Sequence, residues 1–148
     1  MKVRQATHDD LFDVLVLARQ FSKEASEMHK WDKDKFESQL TSAIASSDHA
    51  LLVAEENTDE VSGFLLGVVT EVYVNHNRAA VELAWFVSKE YRGGKQALSL
   101  MKTFEDWASS VEADYVVMSD LKAVADLAPL YGRKGYEEVE SAYAKRIK

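Results

Sequence analysis

The sequence predicts an α+β fold, a mixed and mostly antiparallel central sheet flanked by about four helices, in one domain spanning residues 1–148. Two observations carry that prediction. A chain of 148 residues with 47% hydrophobic content can build one core, whereas two domains of half that size would each be short of one. The apolar pattern also switches between steps of three and four and compact apolar or β-branched runs, in the order strand, helix, helix, three strands, helix, strand, helix, two strands.

Residues 3–6 are short and extended in character. Thr7-His8-Asp9-Asp10 then reads as a helix start, with Thr7 as N-cap and Asp10 in the capping-box position. Leu11, Val14, Leu15, Ala18 and Phe21 form one stripe, and this helix should end before Trp31. The charged stretch Trp31-Asp32-Lys33-Asp34 restarts a second helix, with Phe36, Leu40 and Ile44 spaced by four, that closes at Ser46-Ser47-Asp48. The period then changes. Residues 50–55 are a compact apolar run, Asn57-Thr58-Asp59-Glu60 is a turn, and 61–74 is a long β-branched and aromatic run, which together predict a hairpin. Asn75-His76-Asn77 turns the chain again, and 80–87 returns as a third antiparallel strand.

Gly93-Gly94 interrupts this pattern, after which Ala97, Leu98, Met101, Phe104, Trp107 and Ala108 make a helical stripe. Tyr115-Val116-Val117-Met118 reads as a buried strand. A helix carrying Val124, Leu127 and Leu130 follows, broken by Gly132 and Gly135, and residues 136–147 offer two last short strands.

Charge and composition narrow the function. Lys and Arg total 18 against 25 Asp and Glu, a net charge of −7, which argues against a nucleic-acid or anionic-membrane partner. The absence of cysteine removes disulfides, thiolate zinc sites and cysteine nucleophiles. His8, His29, His49 and His76 are scattered, without paired ligand spacing, so no metal site is expected. The polar stretch after Met1 and the lack of a long apolar run predict a cytoplasmic protein.

The informative junction is strand, glycine loop, helix, from Trp85 through Lys89, Arg92, Gly93, Gly94, Lys95 and Gln96 to Ala97. A helix N-terminus presents unpaired N–H groups and the positive end of the helix dipole, and small residues let an anion approach it. Lys89, Arg92 and Lys95 add positive charge there; the plainer reading is that the glycines only turn the chain. A Walker A loop would need Gly at Lys89 and Ser or Thr at Gln96, so a P-loop nucleotidase is excluded.

These residues resemble the GCN5-related N-acetyltransferase (GNAT) superfamily, whose element order the chain follows along nearly its whole length. That family cradles the acetyl-CoA pyrophosphate in a loop of Gln or Arg, two free positions, Gly, one free position, then Gly or Ala. Arg92 and Ala97 fit this pattern, while Lys95 takes the place of the usual Gly and Lys89 that of a frequent Pro. The resemblance implies that Arg92, Gly93, Gly94, Lys95, Gln96 and Ala97 bind acetyl-CoA, with Lys95 meeting a phosphate as a point charge. It further implies that the main chain of Trp85, Phe86 and Val87 holds the pantetheine arm.

Downstream, Leu130-Tyr131 and Gly135-Tyr136 resemble a second family segment, which makes Tyr131 the candidate general acid for the departing thiolate. The alternative is a core tyrosine at a helix end. Val124 stands where relatives often carry Asn. Glu82 lies about where some members place a catalytic glutamate and is the candidate base, with Glu71 or a water as alternatives; a strand Glu is otherwise a solvated-face residue.

The implied function is acetyl transfer from acetyl-CoA, as cosubstrate and without a metal, to a primary amine by direct attack. The acceptor, a small molecule or a protein, would meet Phe21, Glu24, Glu27, Met28, His29 and Trp31, although Trp31 can equally be a packing residue. The alternative is a catalytically silent acyl-CoA-binding or protein-interaction module on the same fold. Family members commonly form homodimers, and residues 137–147 offer an edge that could pair with a second copy.

Overall fold

The computed structural model describes every residue from 1 to 148 except Ser26, Glu27 and His29. A five-stranded sheet runs in sequence order: β1 (Lys2–Gln5), β2 (His49–Glu55), β3 (Val61–Glu71), β4 (Arg78–Val87) and β5 (Tyr115–Val117). The first four strands pair antiparallel, and β5 lies parallel to β4. The helices are α1 (Leu11–Glu24), α2 (Lys33–Ala45), α3 (Gln96–Ser110) and α4 (Ala128–Arg133). Among the described residues no helix is long and apolar enough to cross a membrane.

Both faces of the sheet are covered. Val14, Ala18 and Leu40 of α1 and α2 meet Leu51, Val53, Phe64 and Phe86 on one side; Leu100, Phe104 and Ala108 of α3 meet Ala50, Leu52, Leu65 and Ala80 on the other. Double coverage is why β2 reads as an unbroken apolar run instead of an alternating one. The predicted start of the first helix is present: Thr7 N–H donates to the Asp10 carboxylate at 2.7 Å, and Asp10 N–H donates to Thr7 O at 3.0 Å. Arg4 grips the same carboxylate with two donors at 2.8 and 2.9 Å, which ties β1 to α1 and holds Asp10 below the usual carboxylate range.

Several elements differ from the sequence expectation. β3 stops at Glu71, because Val72 N–H donates to Asn77 O at 2.7 Å and the turn carries Tyr73 and Val74 into solvent. Leu98 is exposed, since it stands two residues from buried Gln96 and Leu100 and so on the opposite side of a 3.6-residue helix. β5 is partly exposed. Val124 lies on a turn in which Leu121 O accepts from Val124 and Ala125, and α4 begins only at Ala128. Pro129 sits in the first turn of α4, where its missing N–H costs no helical hydrogen bond. Residues 136–147 form no strand, and 137–148 are exposed. Ser141-Ala142 supplies none of the residues that favour a tight hairpin turn.

Two features of β4 position the site. A bulge places Ala84 opposite Leu66 but Glu82 opposite Gly67, leaving Leu83 as the extra residue. Pairing with β5 covers only Ala79, Ala80 and Val81; past Val81 the two strands part. Next to the bulge, Gly67 admits the Phe104 ring of α3 so closely that a Cβ at residue 67 would collide with it. Gly67→Ala is therefore expected to lower stability by about 1–3 kcal/mol through overpacking, read by urea denaturation. A variant as stable as the parent would show that α3 can shift freely on the sheet.

Candidate active site

Where β4 and β5 part, a cleft of about 240 Å³ opens. Glu82, Leu83 and Trp85 of β4 form one wall, the segment from Ser119 through Asp120 and Leu121 to Leu127 forms the other, and Phe21 of α1 closes an end. The lining is mostly apolar with acidic groups set into it.

Ser119 organises those groups through its main chain. Its N–H donates to Glu82 Oε2 at 3.2 Å, and its carbonyl accepts from the Tyr131 hydroxyl at 2.6 Å. Glu82 and Tyr131, far apart in sequence, thus hold the two ends of one residue. Burial pushes the Glu82 carboxyl up to about 7, against the opposing pull of the Ser119 N–H. Burial, followed by the negative charges of Glu82 and Asp120, raises the Tyr131 hydroxyl well above its ordinary value. The Tyr131 ring stands 6.5 Å from Trp85 and 5.5 Å from Tyr136. Asp120 accepts from Leu127 N–H at 3.0 Å and pairs with Lys122 at 2.9 Å, which anchors the loop that leads into α4.

The open edge of β4 runs toward the glycine loop. Ser88 N–H donates to Ser62 O on β3, so by ladder alternation the main-chain groups of Val87 and Trp85 point to the unpaired edge, and those of Phe86 toward β3. The Phe86 side chain is buried against Phe21, ring centroids 5.9 Å apart. A short 3₁₀ turn, Lys89–Tyr91, precedes the loop. Gly93 has φ +85° and open space around it, a conformation that suits glycine. Gly94 N–H bonds back to Tyr91 O at 3.3 Å, and α3 starts with Lys95 in the N-cap position. No acceptor for the N–H groups of Lys95, Gln96, Ala97 and Leu98 stands among the described residues, as at any uncapped helix start. Lys95 is exposed and Gln96 is buried.

The structure therefore brings together Tyr131 and Glu82 in the cleft, and Gly93, Gly94, Lys95, Gln96 and Ala97 at the head of α3. Arg92 turns elsewhere. Its guanidinium donates to Val87 O at 3.0 Å and to Glu24 at 2.8 Å, and lies 5.0 Å above the Phe86 ring. Lys89 also approaches Glu24, at 3.6 Å. Glu71 does not line the cleft; it sits 2.7 Å from His76 across the β3–β4 turn. Trp31 packs on Phe36, ring centroids 6.1 Å apart, and Met28 is exposed. Glu27 and His29 lie outside the described residues. Among the described residues no group of three or more His, Asp or Glu is placed to hold a metal ion. Sequence reading missed Ser119, whose contribution is entirely main-chain, and Asp120, whose partner Leu127 lies seven residues on.

Comparison with known proteins agrees with this architecture. Residues 10–136 match the sequence profile of the acetyltransferase (GNAT) family, and the chain belongs to that family. It is an N-acetyltransferase by class. No curated protein matches the chain in sequence. Among solved structures, the fold is similar to that of glucosamine-6-phosphate N-acetyltransferase from Arabidopsis thaliana, with TM-score 0.74 and 15% identity over 99% of this chain and 98% of that one. It is also similar to a ribosomal-protein-alanine N-acetyltransferase from Brucella melitensis biovar Abortus 2308, with TM-score 0.78 and 16% identity over 99% and 100%. An aminoglycoside antibiotic 6′-N-acetyltransferase from Acinetobacter haemolyticus gives TM-score 0.76 and 18% identity over the whole of both chains.

The raised Glu82 carboxyl has a consequence for stability that is independent of any activity. A carboxyl that binds its proton more tightly when folded than its ordinary 4.5 makes the fold lose stability as pH rises from about 4.5 to about 7. Glu82→Gln should remove a slope of up to about 1.4 kcal/mol per pH unit in that window, measured by denaturation at a series of pH values. An unchanged slope would place Glu82 in solvent.

Proposed function

We propose that the protein transfers an acetyl group from acetyl-CoA to a primary amine by direct attack, with Glu82 as base and Tyr131 as acid. The observation that carries this reading is the shared grip of Glu82 and Tyr131 on Ser119, in a cleft at the open edge of β4. The residues present suit the cosubstrate. Unpaired N–H groups at the head of α3, the exposed Lys95 ammonium and the open ground around Gly93 fit a pyrophosphate. The main-chain groups of Trp85 and the N–H of Val87, all on the unpaired edge, fit the amides of a pantetheine arm much as an added strand would, while the Val87 carbonyl is already held by Arg92.

The chemistry asks for a neutral amine, and for a proton on the sulfur that leaves. Glu82, with its carboxyl near 7, takes a proton from the amine as the C–N bond forms and the C–S bond breaks. Tyr131 delivers a proton to the sulfur. The two steps reinforce each other: the Glu82 charge is one of the causes that hold the Tyr131 proton in place, so protonating Glu82 makes Tyr131 a stronger acid as the thiolate develops. The acidic and apolar lining favours an acceptor with a cationic amine on a compact apolar body, either a small molecule or the end of a protein chain or side chain.

Steady-state kinetics test these roles. Tyr131→Phe should lower kcat by about 100-fold while sparing acetyl-CoA affinity. In the parent, kcat should fall on the acid side of about pH 7, where Glu82 holds its proton, and Glu82→Gln should abolish that limb along with most of the rate. Full activity in Tyr131→Phe would remove the acid role, and a silent acyl-CoA binder would be indifferent to both changes.

Lys95 supplies a separate test. Because Arg92 is committed to Glu24 and Val87, the point charge facing the pyrophosphate falls to Lys95. Lys95→Ala should raise the acetyl-CoA Kd about fivefold and flatten its dependence on ionic strength. Unchanged affinity across salt would assign the anion to the backbone alone.

A further inference from the structure

The glycine loop is bracketed by two side chains, Tyr91 before it and Gln96 after it, and both reach to the same neighbouring turn. The Tyr91 hydroxyl donates to Glu60 Oε2 at 2.8 Å, and Gln96 Nε2 donates to Glu56 Oε1 at 2.9 Å. Glu56 and Glu60 are the two ends of the turn that joins β2 to β3. That turn is stiff: Glu56 N–H donates to Glu60 O at 2.8 Å, Asp59 N–H donates to Glu56 O at 3.0 Å, and Asp59 adopts φ +65°. The fully buried Ser62 sends its hydroxyl to Glu56 Oε1 at 2.5 Å. Burial pushes the Glu56 carboxyl up, but the bonds from Ser62 and Gln96 outweigh it and keep the group below its ordinary range, so it stays ionised.

Carboxylates near a site for a pyrophosphate weaken it, because like charges repel, unless they hold something in place. What they hold is the path of the loop. The Gln96 side chain is buried, its Oε1 has no hydrogen-bond partner, and a Cβ on Gly94 would collide with that oxygen. The loop therefore crosses directly over the amide that Glu56 pins. We propose that the β2–β3 turn is a clamp that positions the glycine loop for the cosubstrate, acting through Glu56 on Gln96 and through Glu60 on Tyr91. The proposal rests on the reading of the loop as the pyrophosphate site, and makes Glu56, Glu60, Tyr91 and Gln96 positioning residues with no contact to the reacting atoms.

Calorimetric titration with acetyl-CoA and steady-state kinetics on the full chain test it, using Glu56→Ala, Glu60→Ala, Tyr91→Phe and the conservative Glu56→Gln. In the first three, Kd and KM for acetyl-CoA should rise about tenfold, the size expected from losing a hydrogen bond to a charged group. Saturated kcat should stay within about twofold, and KM for the amine should not move. Glu56→Gln keeps an acceptor for both Ser62 and Gln96 and should restore most of the affinity. Tyr91→Phe loses only a solvent-facing hydrogen bond, so its weakened binding would not come from misfolding. If Glu56→Ala binds acetyl-CoA as tightly as the parent or more tightly, the carboxylate is only a repulsive charge and the clamp is overturned. The same holds if kcat falls while KM stays. Failure of the unaltered protein to bind acetyl-CoA would overturn the reading of the loop itself, an outcome distinct from a parent that binds and variants that match it.

Discussion

β4 has a hydrogen-bonding partner along its whole length on one side and for only three residues on the other, and the site depends on that asymmetry. Backbone groups on an unpaired edge must find other partners. Here the edge past Val81 faces a cleft, and Arg92 caps its far end by binding Val87 O. Had β5 continued beside β4, Glu82 would flank a closed ladder and Ser119 would be a strand residue. Because β5 departs instead, Ser119 turns one main-chain group to Glu82 and the other to Tyr131, and two side chains brought from distant elements meet on a single peptide segment.

The electrostatics of the loop are more local than the charge of the chain suggests. The protein carries a net charge of −7, and the basic residues nearest the glycine loop are largely answered by acids: Arg92 and Lys89 by Glu24. What remains for an anion is a set of backbone N–H groups and Lys95. Such a site relies on preorganised dipoles more than on a broad positive field, and suits a ligand that reaches it along the strand edge.

Much of this was legible in the sequence, and what was not has physical causes. Element order, the stripe of α1 and the glycine loop before α3 follow from periodicity and turn residues, which are local signals. Tyr131 and Glu82 could be named through resemblance, but their meeting at Ser119 depends on main-chain atoms, which every residue type supplies alike. Apolar spacing alone extends α4 back to Val124, because Val124 and Leu127 keep a helical step although both precede the helix. Residues 136–147, set off by Gly132 and Gly135, invite a reading as two strands, yet their apolar residues do not alternate and no turn folds them into a hairpin. The parting of β4 and β5 is expected from the family resemblance, which has the strand before the loop splay from its neighbour, and not from any local residue pattern, since it depends on where a partner strand stops.

The crowding of Gly94 over Gln96 also bears on how such a loop could have arisen. In the related pattern, glycine stands where this chain has Lys95. A side chain at residue 94 would meet the Gln96 amide oxygen and press on the Tyr91 carbonyl, so it could enter only with the amide swung aside and the turn eased. The two positions are thus coupled: a loop with a side chain at residue 94 would have to hold the amide of residue 96 elsewhere.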